Sequence, residues 1–260
     1  MKVAIYSLSK SGHNAIANWI LAGLNPNFDY SVCHYDTLNP SNTYYVSKDR
    51  LGIDSKQFLK TENTFMILED FDILRQTVEA DIQILILRDY PNFWASLYKF
   101  IKDNPMHRDM LRIDFGKMWH EYYEEFIGRT RIFNEQLITI SYNDWFQSPH
   151  YRELVFGELS RLRMPMGFPP QGLGTVTKQG YGSSFDGFEY QHSPQKMNVL
   201  TRYKYLMKDP EYQKNLKENM QNVADSQRTF RIKNPFDHKI EDTPLSNFTE
   251  EHFQSFFNKE

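Results

Sequence analysis

The sequence predicts an α/β fold, a doubly wound central parallel sheet flanked by helices and joined by right-handed crossovers. Two observations predict it. Four short apolar runs, Val3-Ala4-Ile5-Tyr6, Phe65-Met66-Ile67-Leu68, Ile84-Leu85-Ile86-Leu87 and Leu137-Ile138-Thr139-Ile140, lack the polar alternation of a strand with one wet face. Strands of that kind are covered on both sides, as in a parallel sheet. Amphipathic helical patterns follow these runs, and a chain of 260 residues, 40% hydrophobic, is long enough to bury a large core. We read residues 1–260 as one domain, with a loop-rich segment at 164–190 and a helical part at 194–260.

The first run opens through Ser7-Leu8-Ser9-Lys10-Ser11-Gly12-His13-Asn14 into a helix at 15–21. The second leads into Glu69 and Asp70, with a helix start near Phe71 as one reading of those two acids. After the third run, Trp94, Leu97, Tyr98 and Ile101 recur at helical spacing, with Pro91 where a first turn tolerates it. Phe115, Met118, Trp119, Tyr122 and Phe126 repeat that pattern and leave Glu121, Glu124 and Glu125 for the solvent side. The fourth run ends at Tyr142-Asn143-Asp144-Trp145. Residues 164–190 are rich in Gly, Pro and polar side chains, too long a span for an ordinary connection, and residues 29–54 read as a second variable loop. Helices are expected near 194–207 and 210–225.

The net charge of −3 argues against a general nucleic-acid binder, which carries a basic surplus to displace counterions from phosphates, so any anion site must be local. A single cysteine, Cys33, excludes an internal disulfide and a multi-thiolate metal site and fits a reducing compartment. The N-terminus reads as a strand without a signal-peptide layout, and no apolar run approaches the roughly 18 residues needed to cross a bilayer. We therefore expect a cytoplasmic protein with no membrane span. On oligomeric state the sequence is silent.

Ligands of an open parallel sheet bind at the carboxyl ends of its strands. Behind the first strand, Gly12 lets backbone approach a ligand, the first helical N–H groups lack internal partners, and Lys10 adds a full charge. That is a phosphate cradle; the alternative is an ordinary turn capped by Ser11 or Asn14. It is not a Walker A loop, because Lys10 precedes Gly12 and no glycine stands upstream. Behind the third strand, Arg88 is followed eight residues later by Ser96, about 200° around the helix from Trp94 and so off the apolar stripe. A guanidinium and a hydroxyl converging on one side suit a phosphate monoester.

Taken together, Ser9-Lys10-Ser11-Gly12 and the pair Arg88 and Ser96 resemble the two phosphate-binding motifs of the PAPS-dependent sulfotransferases, PAPS being 3'-phosphoadenosine 5'-phosphosulfate. Tyr142-Asn143-Asp144-Trp145 with Pro149 resembles the family's Tyr-Glu-Asp-Leu segment and its downstream proline, and Lys178-Gln179-Gly180 resembles its late loop over the nucleotide. The resemblance covers about residues 1 to 190. It implies a P-loop-like sulfotransferase architecture, PAPS as co-substrate, and a hydroxyl or amine of a carbohydrate or other small molecule as acceptor. By the same resemblance Ser9, Lys10, Ser11, Gly12, His13 and Asn14 surround the 5'-phosphosulfate, and Arg88 and Ser96 hold the 3'-phosphate. Tyr142, Lys178 and Gly180 complete the nucleotide site. The family usually has proline before the lysine and two threonines after the glycine, where this chain has Ser9, His13 and Asn14.

Lys10 is the candidate for neutralising charge on the leaving group, and the resemblance implies an acceptor base after the strand between the nucleotide motifs. Glu69 stands there, with Asp70, Asp72 and His13 as alternatives. His34 and Cys33 are candidates for the acceptor side. No metal is expected; His120 and Glu124, one helical turn apart, are too few ligands on a solvated face. Two other readings keep the fold: a nucleotide or small-molecule kinase with an unusual phosphate loop, and a nucleotide-binding module without catalysis.

Overall fold

The computed structural model describes residues 1–36, 44–47, 50–51, 63–75, 78–133, 136–174 and 183–220. Four apolar runs become strands: β1 (Lys2–Ser7), β5 (Thr64–Glu69), β6 (Ile82–Leu87) and β7 (Leu137–Ser141). Three more precede β5: β2 (Ser31–Asp36), β3 (Tyr44–Ser47) and β4 (Arg50–Leu51). They lie in the segment the sequence led us to expect as loop. The sheet order is β4-β3-β2-β5-β1-β6-β7. From β2 to β7 every neighbouring pair is parallel, whereas β3 and β4 are added antiparallel at one edge.

Alternate residues of the central strands enter two separate cores, as the pleat requires. Ala4 and Tyr6 of β1 and Leu85 and Leu87 of β6 pack with α2 (Tyr90–Asp103) and α3 (Phe115–Phe126). Val3 and Ile5, with Ile84 and Ile86, pack on the other face with α1 (His13–Ala22) and with α5 (Pro149–Arg161), which follows the short α4 (Tyr142–Gln147). Helices on both faces explain why all six residues of β6 are buried. Truncating one such residue, Ile84→Ala for instance, removes about 2 to 5 kcal/mol through lost transfer energy and a cavity.

Helix α2 is not the amphipathic helix its stripe predicted at its start. Every residue from Tyr90 to Tyr98 is buried, Ser96 included, because α2 lies between the sheet and the C-terminal helices α6 (Tyr203–Leu206) and α7 (Pro210–Met220). Glu125 also departs from expectation. It is buried, and its carboxylate accepts from Thr130 Oγ1 at 2.5 Å, Ile132 N at 3.0 Å and Phe133 N at 3.1 Å. The chain leaving α3 folds back and uses Glu125 as the acceptor for its own orphan donors.

Behind β5 the residues Phe71 to Arg75 form a turn, not a helix. Where a helix was expected over 194–207 there are a short 3-10 turn (Pro194–Lys196) and α6. The rest of the expected C-terminal helical part beyond residue 220, and the middle of the late loop at 175–182 with Lys178 and Gly180, lie outside the described residues. Among the described residues no helix is long and apolar enough to cross a membrane.

Candidate functional site

The strand order fixes where the site can be. β1 sits between β5 and β6, and the chain leaves β1 towards β2 on one side while β6 continues to β7 on the other. The crevice outside the carboxyl ends of β1 and β6 is thus a topological switch point, where open α/β sheets take ligands. Register places Ser7 opposite Glu69, and Glu69 opposite Asp36, so the loops after β1 and β5 leave the sheet at one level.

The β1 loop is a tight turn closed by Ser11 N donating to Leu8 O at 3.1 Å. Lys10 and Gly12 both take left-handed backbone, φ 63° and 85°. At Gly12 a Cβ would lie 2.1 Å from the Tyr142 ring, so both the conformation and the close approach require glycine. Gly12 is the N-cap of α1 and no side chain caps that helix, so neither Ser11 nor Asn14 serves as its cap. The Oγ atoms of Ser7 and Ser11 are buried without a hydrogen bond. Asp70, itself at φ 54°, braces the loop: its carboxylate accepts from Ser9 N at 2.7 Å and from Ser9 Oγ. Asp70 is consequently engaged as a brace, and Asp72 faces outward, paired with Arg75 at 3.3 Å. The Lys10 amino group lies 3.7 Å from the centroid of the Phe100 ring on α2.

Arg88, just beyond β6, crosses the crevice. Its Nη1 donates to Lys10 O at 3.1 Å and to Ser96 Oγ at 3.0 Å, and its Nη2 donates to Val199 O. All three acceptors are neutral, although the guanidinium is 1% exposed. A second guanidinium reaches the same serine: Arg202 Nη1 donates to Ser96 Oγ at 3.2 Å while its Nη2 pairs with Asp186 at 2.9 Å and donates to Ser183 Oγ. Burial and then the charge of Arg202 push Arg88 down to about 10. Nε of each arginine is buried without a partner. Two guanidiniums thus meet on one hydroxyl, with Asp186 paired to Arg202 and Asp89 beside Arg88.

Around Arg88 the frame is rigid. Asp89 caps α2 through Asn92 N at 3.1 Å and accepts from Asn143 Nδ2 at 2.8 Å, tying the start of α4 to the start of α2. Tyr142, the first residue of α4, places its ring 5.1 Å from the Arg88 guanidinium carbon. Asn92 Nδ2 donates to Leu200 O at 2.7 Å, which straps the segment before α6 over the crevice.

On the other side of the β1 loop stands a buried trio. Glu69 Oε2 lies 3.1 Å from His34 Nε2 and 3.6 Å from His13 Nε2, and the imidazoles of His13 and His34 stack at 5.6 Å. Burial pushes His13 down to about 4, against the pull of the Glu69 carboxylate and a lesser one from the Leu8 carbonyl, which is near but outside hydrogen-bond geometry. Burial opposes the charge on Glu69, but His13, His34 and the Ser9 hydroxyl outweigh it and hold the carboxyl below its usual range. Near neutral pH the trio is therefore a carboxylate with a neutral His13.

No family model matches this chain, and no curated protein matches it.

The structure brings the loop of Ser9, Lys10, Ser11 and Gly12 together with Arg88, Ser96 and Tyr142 and sets His13 and Glu69 beside it. The backbone carbonyl of Asn14, in the first turn of α1, accepts from Asn18 Nδ2 at 2.6 Å. Sequence reasoning missed Arg202 and Asp186, and it read Ser183 only as part of the late loop from Lys178 to Phe185. The one available signal was an arginine set among apolar neighbours, Val199, Leu200 and Tyr203, directly after a Gly-rich span. His34 was noticed, without its partner Glu69.

Proposed function

We propose that the chain is a sulfotransferase, moving the sulfuryl group of 3'-phosphoadenosine 5'-phosphosulfate to a hydroxyl or amine of a carbohydrate or other small molecule. The observation that carries this reading is Ser96, whose hydroxyl is shared by Arg88 and Arg202 within reach of the glycine-capped β1 loop. Two anion sites on one crevice fit a donor with phosphate at both its 3' and 5' positions better than a simple triphosphate. The parallel sheet with helices on both faces is compatible with the P-loop-like sulfotransferase architecture that the motifs imply.

In this reading the acceptor oxygen attacks sulfur in line, the bridging S–O bond breaks, and 3'-phosphoadenosine 5'-phosphate leaves. As in phosphoryl transfer, alignment and charge neutralisation do most of the work. The N–H groups at the start of α1 and the Lys10 amino group, swung from the Phe100 ring, balance the charge growing on the leaving 5'-phosphate. The acceptor's proton passes to the trio of Glu69, His34 and His13, with Glu69 as base.

Calorimetric titration with 3'-phosphoadenosine 5'-phosphate tests the reading. Tight binding is expected, lost in Arg88→Ala; an intact protein that takes up none of this nucleotide would sink the proposal.

A further inference from the structure

His13, His34 and Glu69 come from three different elements, the first turn of α1, β2 and the end of β5, and the order β2-β5-β1 brings them side by side. Their ligating atoms all lie within 4.8 Å of one another. Both imidazoles are buried, and the Glu69 side chain is 13% exposed. Close pairing with the Glu69 carboxylate accounts for the 3.1 Å contact of His34. It leaves His13 unexplained, since at 3.6 Å its Nε2 is beyond a hydrogen bond and neither of its ring nitrogens makes one. An orphaned buried polar side chain carries an unrepaid desolvation cost and calls for a physical reason.

Metal–ligand bonds of about 2.0 to 2.2 Å set the ligand atoms of a tetrahedral site roughly 3.3 Å apart. The distances of 3.1 and 3.6 Å from Glu69 Oε2 to the two imidazoles bracket that spacing. We propose that His13 Nε2, His34 Nε2 and Glu69 Oε2 hold a divalent transition ion of the zinc type. Two imidazoles and one carboxylate suit such an ion, whereas magnesium and calcium take oxygen ligands. Three protein ligands leave a coordination position open, the pattern of catalytic zinc.

Ion binding stands apart from the nucleotide reading; what the ion would do there rests on it. An acceptor hydroxyl on the open position loses its proton more readily. With the ion bound, Glu69 is a ligand in place of the base role given it above, and the acceptor's proton leaves to solvent. His13 follows Gly12 directly, so the ion adjoins the loop assigned to the phosphosulfate.

The full chain, stripped with a chelator, is titrated with zinc chloride by calorimetry. One ion per chain is expected, with affinity at least roughly tenfold lower in His13→Ala, His34→Ala and Glu69→Gln. Arg88→Ala should bind zinc as the parent does. No stoichiometric uptake, or uptake unchanged in the His13→Ala/His34→Ala double variant, overturns the proposal. Should the variants fail to fold, X-ray absorption on the zinc-loaded parent decides: two imidazoles in the shell support the site, and a shell without imidazole overturns it. Nucleotide binding without zinc uptake refutes the ion alone, and zinc uptake without nucleotide binding refutes the sulfotransferase reading alone.

Discussion

Ser96 Oγ accepts from Arg88 at 3.0 Å and from Arg202 at 3.2 Å, so one neutral hydroxyl holds two buried guanidiniums together. Ser96→Ala removes that shared acceptor without adding bulk. We expect nucleotide binding to weaken by about 1.5 to 3 kcal/mol, the usual worth of a charge-assisted hydrogen bond. Arg202→Ala should weaken it by at least as much, and calorimetry with 3'-phosphoadenosine 5'-phosphate measures both. Full affinity in Arg202→Ala would remove that residue from the site.

Gly12 carries two separate demands, and substitutions can separate them. Gly12→Ala meets the Tyr142 ring at 2.1 Å and forces a Cβ into backbone at φ 85°. The conformational part costs about 1 to 2 kcal/mol, and the overlap adds to it. Adding Tyr142→Ala should restore the packing part and leave the conformational part. Thermal or denaturant melts of the two single variants and the double variant check this by a double-mutant cycle.

The β1, β5, β6 and β7 strands were legible because all-apolar runs have few other uses than a two-sided sheet. β2 was not, since Ser31, Cys33, His34 and Asp36 look like loop composition, and burial of Ser31 and His34 is decided by neighbours far along the chain. Glu69 was legible as an edge residue, but its partner His34 sat on the strand that went unseen. Arg202 was invisible for a related reason: its contact with Ser96 spans 106 residues, a separation that no local pattern encodes. Glu125 shows the same limit. A helical wheel places it outside, and the returning chain at residues 130–133 buries it.

The depressed His13 should make stability pH-dependent. In the unfolded chain a histidine takes its proton near 6.5, and His13 in the fold takes it near 4. Between those values the unfolded state binds more protons, so the stabilisation is complete above 6.5 and is lost as pH falls towards 4. The loss is on the order of 3 kcal/mol over that window. Glu69, also held down, adds loss in the same direction below the usual carboxylate range. Denaturant melts from pH 7 to 4 with a chelator present measure the slope, and His13→Asn should flatten its upper part. An equal slope in that variant would assign the effect to another group.

Glu125 offers a prediction about stability that leaves the crevice untouched. Its carboxylate accepts from Thr130, Ile132 and Phe133, and the Phe133 ring in turn packs at a tilt 4.5 Å from the Tyr6 ring on β1. Glu125→Ala strands buried N–H groups, each costing about 1 to 3 kcal/mol when unpaired, and loosens the chain that covers Tyr6. A loss of about 3 kcal/mol is expected in denaturant melts. Glu125→Gln keeps a carbonyl acceptor and should lose less, while nucleotide affinity stays at the parent value in both, because no contact links Glu125 to Lys10, Arg88 or Ser96 among the described residues. A melt unchanged in Glu125→Ala would mean that the returning segment is held by Phe133 and its apolar neighbours alone.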